Sequence, residues 1–75
     1  MAEYKVVFTD HDPLLGGVTE VLRFGSRADV VRWAERELAD TLEVMPDARV
    51  TCRVCATNAR DIDVALAEMW ANDGR

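Results

Sequence analysis

Two runs of β-branched and aromatic residues, 3–9 (EYKVVFT) and 18–24 (VTEVLRF), are separated by a segment holding Asp10-His11-Asp12-Pro13 and Gly16-Gly17. β-Branched and aromatic side chains suit the pleated, half-buried surface of a strand, and Asp, Pro and Gly supply turns. So short a connection leaves no room for the crossover that parallel strands need. The two runs are therefore expected to pair antiparallel as a hairpin, and Gly25 ends the second.

Ser26 opens the next element, with a hydroxyl placed to accept from the backbone N–H three residues on and Asp29 in the first turn. Val30, Val31, Ala34, Leu38 and Leu42 recur at helical spacing and predict a helix to about Val44, where Met45-Pro46-Asp47 stops it. Residues 48–55 (ARVTCRVC) alternate cleanly and predict a third strand. Beyond it, Ile62, Ala65, Leu66, Met69 and Trp70 fall at helical spacing behind a cap at Thr57 or Asn58, with Asp61 and Asp63 in the first turn. They predict a second helix ending near Asn72, with Val64, Ala67 and Ala71 as a weaker second stripe.

The expected fold is thus α+β: a two-layer sandwich in ββαβα order, with a three-stranded antiparallel sheet of order 3-1-2 and both helices on one face. Alternation assigns Tyr4, Val6 and Phe8, Leu22 and Phe24, and Val50, Cys52 and Val54 to the helix-covered face. Glu20 falls on the same side, at an edge where an inward charge discourages aggregation. Seventy-five residues make one small domain, 1–75, because two cores cannot be built from so few. A core of this size is modest and would gain from self-association.

Cys52 and Cys55 are too few for a disulfide scaffold. In redox proteins a CxxC pair opens a helix, whereas these two lie in and at the end of a strand. A metal site of Cys52, Cys55, His11 and one of Asp10 or Asp12 would join two loops and pull Cys52 from the core. Structural cysteines are the expectation, with no metal and no cofactor. Asp10-His11-Asp12 has the composition of an oriented general base but sits in a hairpin loop with no evident nucleophile, which favours a solvated turn. Gly16-Gly17 precedes a strand and lacks a phosphate-loop frame. No catalytic residues are assigned, and a non-enzymatic protein is expected.

Charge says more about function. Fourteen acids against nine bases give a net charge of −5, which disfavours a polyanion binder driven by overall charge. Residues 26–47 concentrate the excess, with three bases against six acids. Their later half carries Glu35, Glu37, Asp40, Glu43 and Asp47, where acids oppose the helix dipole, so helix stability does not account for them. Arg32–Glu35 and Arg36–Asp40 are placed to pair along the surface. Trp33 lies beside this patch, and Trp33, Glu37, Asp40 and Glu43 form the expected partner-binding site. The exposed sheet face is expected to be basic, with Lys5, Arg23, Arg49 and Arg53 as an alternative site for an anionic ligand or nucleic acid. It lacks the exposed aromatics that stack bases, so nucleic acid is the lesser reading. No apolar run approaches a membrane span and no signal-like segment opens the sequence, so a cytoplasmic location is expected. The function these features favour is a small acidic interaction module, a homodimer that regulates or inhibits a larger protein. By analogy, such domains are typical of accessory or phage-borne genes. A CxxC metal or thiol protein is the remote alternative.

Overall fold

The computed structural model describes residues 2–14, 16–57 and 63–72. Four strands, β1 (Ala2–Asp10), β2 (Gly17–Gly25), β3 (Val50–Thr57) and β4 (Asp63–Ala71), and one helix, α1 (Arg27–Val44), follow in the order ββαββ. The sheet is antiparallel throughout with strand order β2-β1-β3-β4, so β1 is central as expected and a fourth strand extends the sheet beyond β3.

The β1–β2 loop is closed by short-range bonds. The Asp10 carboxylate accepts from the Asp12 N–H at 3.0 Å, and the Asp12 carboxylate accepts from the Leu14 N–H at 2.8 Å. The Gly16 N–H donates to the Asp12 carbonyl at 2.9 Å. A Cβ at position 16 would stand 2.2 Å from that carbonyl oxygen, so the close approach requires glycine.

At the start of α1 the Ser26 hydroxyl accepts from the Asp29 N–H at 3.2 Å, as the capping pattern predicts. Asp29 pairs with Arg32, which therefore bonds one turn back and not forward to Glu35. The Arg32 guanidinium, helped by the Ser26 hydroxyl, holds the Asp29 carboxyl below the usual carboxylate range. The helix ends at Met45, whose N–H donates to the Thr41 carbonyl at 2.8 Å.

The helix lies on one face of the sheet and buries Val30, Ala34 and Leu38, three positions four residues apart. Val30 and Ala34 meet Tyr4, Val6, Cys52 and Val54, and Leu38 meets Val50 and Ala71. Burying each of the larger aliphatic side chains contributes about 2 kcal/mol.

Two expectations are corrected here. In place of the second helix, residues 63–71 form β4, so among the described residues the sheet has four strands and a single helix covers it. Val54 pairs with Ala67 but Cys55 pairs with Ala65, which leaves Leu66 as an extra residue, a β-bulge. Leu66 and Ala67 both pack on the core, followed by Met69 and Ala71. The bulge interrupts the strict alternation of a strand and produces an apolar spacing that mimics a helix. Asn58, Asp61 and Ile62 lie outside the described residues. Asn72 closes β4 in the left-handed region (φ 51) that Asn tolerates, and its amide donates to the Pro46 and Ala48 carbonyls at 2.6 and 2.9 Å.

The second correction concerns β2. Val6 pairs with Val21 and Tyr4 with Arg23, so Thr19, Val21 and Arg23 share the helix-covered face. Val18, Glu20, Leu22 and Phe24 lie on the open face, where all four are exposed. The hairpin register sets this choice, and a shift of one residue exchanges every side chain between faces.

Candidate interaction site between the helix and the edge strand

Trp33 is half-buried on the flank of α1 that overlooks β2. Its ring meets Phe8 edge-to-face, with centroids 6.1 Å apart and planes at 72°. The Arg23 guanidinium carbon sits 4.4 Å from the Trp33 ring centroid, a cation–π contact. This stacking explains how β2 turns an arginine toward the helix: the cation rests on an aromatic face at the sheet's edge and is exposed there.

One turn further along, Glu37 is half-buried, and Asp40 is exposed on the same flank. Glu43 lies on the outward side of the helix, apart from the other three. Three of the four residues expected in the acidic site therefore share one flank. Beneath them runs a groove of about 300 Å³ with a floor of Phe8, Val21 and Val50 and with Trp33 and Thr41 in its wall. Its lining includes two carboxylates, Glu37 and Asp10, and no base. A second cavity of about 350 Å³ also includes Asp10, together with Asp12, Asp47, Pro46 and Arg49. The two cavities share Asp10, which turn chemistry alone assigns to the loop and which the structure places at the end of β1. The last position of β1 carries the inward alternation of Tyr4, Val6 and Phe8 one step further.

The expected basic face does not assemble. Lys5 and Arg53 are on the open face, Arg23 is on the covered one, and Arg49 precedes β3 at the loop end, where its carbonyl accepts from the His11 N–H at 2.8 Å. Arg53 pairs with Glu68 at 3.4 Å. In place of four bases, the open face presents Lys5 and Arg53 among Glu3, Glu20 and Glu68.

The two thiols point to opposite sides of β3, and both are buried. Burial, reinforced by the nearby Cys55, pushes the Cys52 thiol up to about 11, which keeps it protonated and a poor nucleophile or ligand. The His11 imidazole is hydrogen-bonded to the Thr51 hydroxyl on the open face, whereas Cys52 lies in the core on the other. Among the described residues no group of three or more His, Cys, Asp or Glu is arranged to hold a metal ion. Nor, among them, is any helix long and apolar enough to cross a membrane.

No protein-family profile matches the chain, and neither a characterised protein nor a solved structure is significantly similar to it.

Proposed function

We propose that this protein is a non-enzymatic interaction module, a small regulator or inhibitor that grips a basic segment of a larger protein in the groove between α1 and β2. The observation that carries this reading is the pair of carboxylates, Glu37 and Asp10, lining an apolar groove walled by Trp33. A lysine or arginine side chain has the matching form, an apolar stem ending in a cation. Asp40 on the same flank adds a long-range field of the same sign. Acids in the second half of the helix oppose its dipole, so a role in binding accounts for charges that helix stability does not.

The test has two arms. Titration with an arginine- and leucine-rich peptide should shift the indole N–H resonance of Trp33 saturably, less so at high salt, and not at all in Glu37→Lys. A partner identified by affinity purification should be lost from Glu37→Lys/Asp40→Lys. Unchanged partner recovery by that double variant would overturn the reading.

The rival reading, nucleic acid on the open face, gains two aromatics from the corrected register, Phe24 and Trp70. They stand at opposite corners of the sheet, on β2 and β4, too far apart to stack neighbouring bases. Glu3, Glu20 and Glu68 between them repel phosphate, so the groove is the better-supported site.

A further inference from the structure

The face of the sheet turned away from α1 is laid out in rows across the strands. Val18, Thr9, Thr51 and Trp70 form one row, Glu20, Val7, Arg53 and Glu68 the next, and Leu22, Lys5 and Cys55 a third, with Phe24 beside Glu3 beyond it. Along the edge, Val18, Leu22 and Phe24 are 63 %, 57 % and 61 % exposed, and Trp70 is 43 % exposed at the far side. No described element covers them. Cys55 in the third row is buried, so the exposed apolar part of this face is the β2 stripe together with Trp70, and a stripe of large exposed apolar side chains marks an association surface.

We infer that this open face is a self-association surface, and that its occupant is the same face of a second copy, packed sheet on sheet. Two observations single out a second copy. The first is size. Four strands of up to nine residues span about 19 Å by 30 Å, a footprint of about 570 Å², the same order as the roughly 800 Å² that each partner contributes to a standard interface. The second is charge. The whole chain is at −5, yet this face mixes Lys5 and Arg53 with Glu3, Glu20 and Glu68, so it meets its own copy without the repulsion that the acidic helix would impose.

A two-fold axis across the strands, between the Leu22 and Glu20 rows, makes the match explicit. It sets Val18 of one copy against Phe24 of the other and Leu22 against the aliphatic stem of Glu20. The same operation carries Lys5 over Val7, next to Glu20 of the second copy. A basic partner would meet Lys5 and Arg53 here, and a strongly acidic one would meet the three glutamates. The face suits a surface of its own mixed kind.

This inference is independent of the groove between α1 and β2, and its experiment separates the two. Sedimentation equilibrium from about 1 to 200 µM should give the dimer mass for the unaltered chain, a range that spans ordinary homodimer affinities. Leu22→Asp and Phe24→Asp should each weaken association about a hundredfold, so that monomer predominates at the dilute end of that range, with the far-ultraviolet circular dichroism unchanged. Val44→Asp removes an even more exposed apolar side chain, 80 % exposed on α1, and should remain dimeric, as should Glu37→Lys. A monomer across the whole range overturns the inference. So does a dimer that survives both β2 substitutions, or one that Val44→Asp dissociates.

Discussion

Val21 and Leu22 are neighbours on one strand, and nothing in their hydropathy separates them. Val21 faces α1, lines the groove and is half-buried, whereas Leu22 faces away and is 57 % exposed. The same division runs across the sheet. On the covered face Val6, Cys52 and Val54 are fully buried, while on the other Cys55 is buried but Phe24, Val18 and Trp70 stand in the open. In this molecule hydrophobicity identifies strands, but the position of one helix and the register of one hairpin decide which apolar residues become core. A three-layer protein would have covered both faces, whereas among the described residues one helix covers one face.

The contrast between the faces should be greatest for a buried charge. Val54→Asp places a carboxylate with no partner in the core, at a cost of about 3–5 kcal/mol, most or all of the stability available to a domain of this size. Circular dichroism should find it unfolded without denaturant. Leu22→Asp, the same chemistry on the open face, should change the unfolding free energy of the monomer, read by urea titration, by less than about 0.5 kcal/mol. Equal losses would show that both faces are core.

Next comes the alkaline limb of stability. The Cys52 pKa is raised from 9.0 unfolded to about 11 folded, so the folded chain holds its proton over a range in which the unfolded chain releases it. Stability is then full below about pH 9 and falls by about 2 kcal/mol as pH rises through 11. Denaturant titrations at pH 8, 10 and 11 would show this slope. It should flatten in Cys52→Ala after allowance for that variant's own pH-independent loss.

Removing the cap that starts α1 tests how firmly the covering layer is seated. Ser26→Ala should cost about 1 kcal/mol by thermal unfolding and leave Asp29 with only Arg32 to hold its carboxyl down. The smallest effect is expected at Arg23. Arg23→Gln loses the stacking on Trp33, about 0.5 kcal/mol, and should change the Trp33 indole resonance. An unaltered resonance would return Arg23 to the open face and with it the whole register of β2.

Much of the architecture is legible in the sequence. Turn chemistry from Asp10 to Gly17 marks the hairpin, Ser26 marks the helix start, Met45-Pro46-Asp47 marks its end, and alternation from Val50 marks β3, so three strands and α1 fall close to where they are expected. β4 was hidden for two physical reasons. Ala, Leu, Glu and Met favour helices intrinsically, and the bulge at Leu66 shifts the strand's inward residues out of period two. Tertiary pairing with β3 overrides both. The face of β2 was hidden because Leu22 and Phe24 look like core, while the residue that enters in their place, Arg23, needs the Trp33 ring to be tolerated. Of the acidic site, Trp33, Glu37 and Asp40 were legible from helical spacing. Asp10 belongs to another element and joins them only through the fold.

The order β2-β1-β3-β4 divides the sheet into two hairpins of consecutive strands, β1–β2 and β3–β4, joined along the seam between β1 and β3. Only that seam brings together strands distant in the chain, Val6 with Val54 for example, and α1 lies in the stretch between. The first hairpin and α1 precede β3 in the chain, so until β3 is paired α1 has only half a sheet to lie on. The loop-closure entropy falls on one step, when β3 reaches β1, and the groove beside Trp33 gains Val50 as part of its floor at that same step. A chain stalled before β3 lacks that residue and the half of the sheet that carries it, so the binding groove is finished only when the middle of the sheet is.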